Sequence, residues 1–250
     1  METSGIAQQD RGQTDETKHR DPSHRVIIVK VYFIPGLGAD RRVFKNITLP
    51  AGYEPVYVDW LKPLPQETLA SYSNRLHKSF HPQIPYILIG LSMGGMIASE
   101  IAHKHPPALL VLISSIPCSL HLPGYYRKAA ALKLQKLIPV SLFKSMAVMK
   151  RFFTTETPED KKMLKAMIRD VDPKFIYWSL EAILGWKMEE PFPHRVHIHG
   201  TRDELLPVKY TQPTHRIEKG GHLLVMNRGE EVSRILAEVL PLRHQDAGIR

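Results

Sequence analysis

Short apolar runs alternate with helical segments along most of this chain, and this alternation constrains the fold more than any other feature. Strand-sized runs are predicted at residues 26–34, 55–59, 86–91, 108–113, 195–199 and 215–218. Helical spacing predicts helices at residues 40–47, 68–80, 93–103 and 230–240. The run 108–113 is continuously apolar, as in a parallel strand that is covered on both faces. We therefore predict an α/β fold, with a mostly parallel sheet of about six strands flanked by helices.

The alternation is interrupted between residues 117 and 190, where the sequence is helical in character, basic and rich in methionine. Residues 118–170 contain eleven Lys and Arg against four Asp and Glu, which accounts for most of the net charge of +9. We expect a helical lid at 117–190, inserted between two parts of the core at 26–116 and 191–250. Its apolar residues, concentrated between Leu132 and Phe153, either line an acyl or aromatic pocket or pack the lid onto the core. Its lysines either attract an anionic substrate or membrane surface, or form a solvated face.

Residues 1–25 are almost wholly polar and lack the apolar region of a secretory signal. They contain several acidic residues, unlike a transit peptide, and we expect them to form a disordered tail. No run approaches the roughly 20 apolar residues of a membrane span, so we expect no integral membrane segment. The one cysteine, Cys118, excludes an intrachain disulfide and a cysteine zinc site, and it favours a reducing, cytoplasmic location. No nucleic-acid motif accompanies the positive charge, so we expect no nucleic-acid partner.

The hexapeptide GLSMGG, residues 90–95, lies between a predicted strand and a predicted helix. A G-x-S-x-G sequence in this context predicts a tight turn that projects the Ser92 hydroxyl above the sheet. Gly90 and Gly94 are needed because a Cβ at either position would collide with a neighbouring element. The amide of Met93 begins the helix and is placed to stabilise an oxyanion.

A serine nucleophile needs a base, and the base needs a carboxylate that orients it. Among the 13 histidines, His222 lies on a loop between the last predicted strand and the last helix. His197 and His199 fall within a strand, and His103 and His105 end a helix. Asp203 follows the preceding strand, with Glu204 as an alternative acid. The chain order Ser92, Asp203, His222 is the order that this architecture uses.

The loop from Pro35 to Gly38 follows the first strand and is expected to face Ser92. Through the amide of Leu37, supported by Gly36, it is predicted to give the second oxyanion donor. Pro35 has no N–H and cannot donate. An ordinary strand-to-helix turn would also require glycines, so this alternative stays open.

Four segments together resemble the α/β-hydrolase superfamily, specifically its small lidded serine hydrolases and esterases. They are FIPGLGADRRVF (33–44), GLSMGG (90–95), HGTRDELLP (199–207) and GGHLLVMN (220–227), and the resemblance covers about residues 26–240. It implies Ser92 as nucleophile, Asp203 as acid, His222 as base, and oxyanion amides at Leu37 and Met93. Many relatives have His-Gly where this chain has Pro35-Gly36. Because only the polar tail precedes residue 26, we also expect the usual first two strands to be absent, in which case the sheet edge needs cover or a partner.

Three functions are compatible with this resemblance. The first is hydrolysis of a small-molecule carboxylic ester or related acyl compound through an acyl-enzyme on Ser92. The second is cofactor-independent lyase, acyltransfer or perhydrolase chemistry on the same triad, and the third is non-catalytic ligand binding. Zinc, flavin, nucleotide and haem motifs are absent from the sequence, so we expect neither a cofactor nor a metal. The sequence does not indicate an oligomeric state.

Overall fold

The computed structural model describes residues 28–80, 82, 85–132 and 157–241. The predicted tail, residues 1–25, lies outside these ranges. So does the middle of the predicted lid, residues 133–156, which includes all but the first of its concentrated apolar residues.

The first half of the chain alternates strands and helices as predicted. The strands are β1 (Val29–Ile34), β2 (Tyr53–Tyr57), β3 (Tyr86–Leu91) and β4 (Leu109–Ile113). Between them lie a 3₁₀ helix (Arg41–Phe44), α1 (Leu69–Phe80) and α2 (Met93–Lys104). The helix predicted at 40–47 is thus a single short turn, capped by the Asp40 side chain, which accepts the amide of Arg42.

The second half contains the insertion and the end of the core. After a 3₁₀ turn (Ser119–His121), the described helices are α3 (Gly124–Ala131), α4 (Pro158–Asp170) and α5 (Pro173–Leu184). The core resumes with β5 (Arg195–Gly200), a 3₁₀ turn (Val208–Tyr210), β6 (His215–Ile217), α6 (Leu224–Asn227) and α7 (Gly229–Val239). The starts of α4 and α5 follow from sequence, because Thr157 and Asp172 cap them and a proline occupies each first turn.

All six strands pair in parallel, in the order β2-β1-β3-β4-β5-β6. This confirms the predicted α/β fold with a six-stranded parallel sheet. After β1 the chain forms β2 on one side of it and then crosses to form β3 on the other side. The loops that follow β1 and β3 therefore run in opposite directions. Open α/β sheets form their binding sites at such a switch point. Ile34 at the end of β1 is in register with Gly90 near the end of β3.

Alternate residues of the strands pack on opposite faces of the sheet. On one face, Val31, Ile89 and Val111 pack with α7 and α4, and on the other Tyr32, Leu88 and Leu112 pack with α1, α2 and α5. Both faces are thus covered, which explains why β3 and β4 are almost entirely apolar.

The described helices of the insertion dock on both sides of the core. Leu164 and Met167 of α4 join one apolar cluster, whereas Phe175 of α5 joins the other. Two ion pairs also tie α4 to the segment after β1: Lys45–Asp160 at 2.5 Å and Arg42–Asp170 at 3.5 Å. Apolar residues of α4 and α5 therefore pack onto the core. No helix within the described residues is long and apolar enough to cross a membrane.

Candidate active site

Ser92 occupies the tight turn between β3 and α2. Its backbone has φ 52° and ψ −121°, a region that a residue with a side chain rarely adopts and that costs about 1–3 kcal/mol. Hydrogen bonds to the backbone of Ser92 maintain this conformation. The Ser92 amide donates to the carbonyl of Ile113 at 3.0 Å, and the Ser115 hydroxyl donates to the carbonyl of Ser92 at 2.7 Å.

The two glycines of the turn allow backbones to approach closely, as the sequence predicts. A Cβ at Gly94 would overlap the carbonyl oxygens of Ile34 and Pro35, which belong to the end of β1 and its loop. A Cβ at Gly90 would overlap the backbone of Gly94 and Gly95. Without these glycines, the first turn of α2 could not lie against the end of β1.

The structure brings together the three side chains that the sequence singles out as a triad. Nε2 of His222 lies 2.9 Å from Oγ of Ser92, and Nδ1 of His222 lies 2.8 Å from Oδ2 of Asp203. His222 and Asp203 are each only 3% exposed. Glu204, the alternative acid, is exposed on the same loop.

The loops that carry Asp203 and His222 are joined by backbone contacts. The amide of Thr201 donates to the carbonyl of Ile217 at 3.0 Å, and the amide of Arg202 donates to the carbonyl of Gly220 at 2.9 Å. A Cβ at Gly200 would collide with the carbonyl of Gly220. The ends of β5 and β6 thus hold the two loops side by side, although 19 residues separate their functional groups.

Asp203 is a buried carboxylate with donors on both oxygens. Oδ1 accepts the amides of Leu205 at 3.0 Å and Leu206 at 2.8 Å, and Oδ2 accepts His222. Burial alone would raise the pKa of Asp203, but the charge of His222 and the hydrogen bonds from His199 and His222 hold that pKa well below its ordinary value. Asp203 is therefore a carboxylate, and not a carboxylic acid, throughout the neutral range.

The loop after β1 lies against the serine. A Cβ at Gly36 would approach the Cβ of Ser92 to 3.2 Å. Gly36, which precedes Leu37, therefore lies directly beside the serine side chain. The loop is closed by a hydrogen bond from the Ala39 amide to the Gly36 carbonyl at 3.1 Å. Trp60 braces it from outside, because its Nε1–H donates to the Ala39 carbonyl at 3.0 Å. On the other side of Ser92, the Met93 amide has no acceptor within its own helix.

Several residues that contact this site were given no role in the sequence analysis. His199 contacts Asp203, Ser115 binds the backbone of Ser92, and Tyr126 of α3 donates from its hydroxyl to the carbonyl of Leu205 at 3.0 Å. The only sequence signal for His199 is its position four residues before Asp203. The contact of Tyr126 joins the insertion to the Asp203 loop across 79 residues and has no local signal at all.

No group of three or more His, Cys, Asp or Glu side chains is placed to hold a metal ion within residues 28–80, 82, 85–132 and 157–241. Ser92, His222 and Asp203 are hydrogen-bonded in a chain. Their arrangement can move a proton from a serine hydroxyl to an imidazole whose other nitrogen is held by a carboxylate.

Comparison with known proteins places the chain in a family. A sequence model described as "Alpha/beta hydrolase family" matches residues 31–235, most of the chain. The chain belongs to the alpha/beta hydrolase family. The resemblance drawn from the four sequence segments is thereby confirmed. No protein of curated function matches this α/β-hydrolase in sequence.

Solved structures share the fold of this α/β-hydrolase at low sequence identity. An esterase from Exiguobacterium antarcticum has a TM-score of 0.64 at 19% identity, over 83% of this chain and 90% of that one. The enol-lactonase from Burkholderia xenovorans has a TM-score of 0.61 at 15% identity, over 83% and 89%. A bromoperoxidase from Bacillus anthracis has a TM-score of 0.59 at 16% identity, over 83% and 90%. At such identities the likeness concerns the fold, and the three titles differ in activity.

Proposed function

We propose that this α/β-hydrolase is a serine hydrolase that cleaves small-molecule carboxylic esters or related acyl bonds through an acyl-enzyme on Ser92. The observation that carries the proposal is the continuous hydrogen-bonded chain Ser92–His222–Asp203, with links of 2.9 and 2.8 Å. It lies at the carboxyl ends of the strands, with a serine in a strained turn and a buried carboxylate at the far end.

In the proposed first half-reaction, Nε2 of His222 accepts the hydroxyl proton of Ser92 while Oγ attacks the carbonyl carbon of the ester. The carbonyl electron pair moves to oxygen, and the amides of Leu37 and Met93 stabilise that oxyanion. The intermediate then collapses, and the imidazolium of His222 gives its proton to the departing alkoxide. An alcohol leaves, and the acyl group remains on Oγ.

In the second half-reaction, water takes the place of the alcohol. His222 removes a proton from the water as its oxygen attacks the acyl carbon, and the same amides stabilise the second oxyanion. The proton then returns from His222 to Oγ of Ser92, and the carboxylic acid is released. The carboxylate of Asp203 keeps the imidazole oriented and stabilises its positive charge in both halves.

A fluorophosphonate probe tests the proposal, with the adduct mapped by mass spectrometry and turnover followed on p-nitrophenyl esters of increasing acyl length. We expect labelling at Ser92 alone, and a fall in kcat/KM of about 10⁴- to 10⁶-fold in Ser92→Ala. Ser79→Ala, at an exposed serine near the end of α1, is the control and leaves both readouts unchanged. Labelling elsewhere, or full turnover in Ser92→Ala, contradicts the proposal. A folded protein that takes no label favours ligand binding without catalysis.

A further inference from the structure

Asp203 is contacted by a second histidine besides His222. Nε2 of His199, the residue four positions earlier at the end of β5, lies 3.3 Å from Oδ2 of Asp203. The Oδ2 atom is the same oxygen that accepts His222 at 2.8 Å. Both His199 and Asp203 have side chains with no exposed surface, so no solvent competes for this contact.

The surroundings of His199 determine where its hydrogen is. Its Nε2 also lies 2.7 Å from the carbonyl oxygen of Leu206, which can only accept. Because both neighbours of Nε2 are acceptors, this nitrogen carries a hydrogen whether the ring is neutral or charged. At the opposite edge, Nδ1 of His199 lies 3.1 Å from Nε2 of His197. The ring is therefore held at two edges and cannot turn away from Asp203.

His197 in turn is only 1% exposed. Burial, and the neighbouring His199, lower the pKa of His197 to about 3. His197 is thus a neutral partner near pH 7, and it holds His199 without bringing a charge to the site. The two imidazoles lie in a T-shaped arrangement, with ring centroids 5.1 Å apart.

These contacts surround both oxygens of the carboxylate. Oδ1 accepts two backbone amides, and Oδ2 accepts His222 at 2.8 Å. Oδ2 also has a longer contact of 3.3 Å with Nε2 of His199, whose one hydrogen is shared with the Leu206 carbonyl at 2.7 Å. A carboxylate with this set of donors has little freedom to rotate. The negative charge of Oδ2 also interacts with both imidazoles. Its hydrogen bond to His222 is therefore weaker than it would be if His222 were its only imidazole neighbour.

We infer that His199 is a positioning residue for the proposed catalytic acid, and that it moderates how strongly Asp203 holds a proton on His222. The inference rests on the proposed function. Without the His199 donor, Oδ2 becomes a stronger acceptor, and the imidazolium of His222 is stabilised. The base is then protonated at a higher pH, and the carboxylate is less firmly oriented.

Two amide variants distinguish the contacts of Nε2 of His199 from the contact of its Nδ1. In His199→Gln, the amide nitrogen reaches the former position of Nε2, so that it can still donate to Asp203 and Leu206. In His199→Asn, the shorter amide reaches only the position of Nδ1, so that it can contact His197 but leaves both Oδ2 of Asp203 and the carbonyl of Leu206 without this donor. Both variants are polar and unable to titrate, so they differ mainly in reach.

The first measurement is kcat/KM for a p-nitrophenyl ester between pH 5 and 9, with reactive sites counted by fluorophosphonate titration. For His199→Asn we expect kcat to fall about 10- to 100-fold, the scale of a misplacement of about 1 Å. We expect KM to be unchanged and the acidic limb of the profile to move to higher pH. His199→Gln restores most of kcat and the position of the limb.

The second measurement does not depend on turnover. The proton between His222 and Asp203 is followed by its low-field NMR resonance, which His222→Gln removes. We expect this resonance to shift in His199→Asn and to stay in place in His199→Gln. A shift in neither variant, or an acidic limb that stays where it is while only the count of reactive sites falls, overturns the inference. If the wild-type protein neither reacts with the probe nor turns over an ester, the proposed function is overturned instead. The NMR resonance then still tests whether His199 affects the hydrogen bond between Asp203 and His222.

Discussion

The serine turn and the acid–histidine loops meet at one point but are held there by different kinds of contact. At the serine turn the contacts are between backbones, because Gly90 and Gly94 have no Cβ and the Ser92 amide binds the end of β4. At the acid loop, side chains add to the backbone contacts: His222 and His199 lie against Oδ2 of Asp203, and the Tyr126 hydroxyl donates to the carbonyl of Leu205. The turn is therefore recognisable as a motif of six residues, whereas the side chains around Asp203 come from several separate parts of the chain.

The largest effect is expected on the side-chain half of the site. Asp203→Asn keeps the shape of the residue but removes the charge that orients and stabilises His222. We expect kcat/KM to fall about 10⁴-fold, as in other triads. Glu204→Gln is the matched control, because Glu204 is exposed and adjacent, and it is expected to change kcat/KM less than about threefold. An equal loss in Glu204→Gln would give the role of the acid to Glu204.

A smaller effect, on stability, is expected at the backbone half. In Gly94→Ala the new methyl group overlaps the carbonyls of Ile34 and Pro35, and neither backbone can move without disturbing β1. We expect the free energy of unfolding to fall by about 1–3 kcal/mol in denaturant titrations. Gly124→Ala adds the same methyl group at the start of α3, where no atom lies within 4 Å, and should be neutral or slightly stabilising. Equal losses would mean that close approach is not what Gly94 provides.

An effect that is absent near pH 7 and grows only as the pH falls concerns the stability behind the acid loop. The pKa of His197 is about 3 in the folded protein, against about 6.5 in an unfolded chain. Between these pH values the unfolded state binds a proton at His197 and the folded state does not. The contribution of His197 to stability is therefore fully present above about pH 6.5 and is lost as the pH falls towards 3. Over that range His197 changes the free energy of unfolding by up to about 1.4 kcal/mol per pH unit.

Urea titrations from pH 7 to pH 4 measure that slope. We expect His197→Gln, which cannot titrate, to have a shallower slope than the wild type. His103→Gln, at an exposed histidine near the end of α2, controls for the removal of a histidine and should retain the wild-type slope. Parallel curves for the wild type and His197→Gln would show that His197 is not the group responsible.

The same difference between the two regions explains how far the sequence could predict the molecule. The six strands, the turn at Ser92 and its glycines follow from apolar runs and a local motif, in which each residue acts on its near neighbours. The family resemblance implies Asp203 as the acid, with Glu204 as the alternative, and in the structure Asp203 is buried against His222 while Glu204 faces solvent.

The residues that the sequence did not predict carry a weak local signal or none. His197 and His199 alternate in a strand like ordinary buried residues, and the spacing of four from Asp203 is the only sign of the contact that His199 makes. Trp60 binds the Ala39 carbonyl across 21 residues, and its role appears only when β1 and β2 are side by side. The division of the insertion between the two faces of the sheet was likewise not predicted, because an apolar helix face does not indicate which side of the sheet it will cover.

The bracing of the loop after β1 has a consequence for protein engineering. Trp60, which binds that loop, packs against Phe175 of the insertion at a ring-centroid distance of 5.1 Å, and Lys45 pairs with Asp160 of the insertion on the other side. A chimaera that exchanges residues 117–190 with those of a relative would therefore replace the partners of both Trp60 and Lys45. Grafts that also carry the donor's counterparts of Trp60 and Lys45 would keep these two contacts between the insertion and the core.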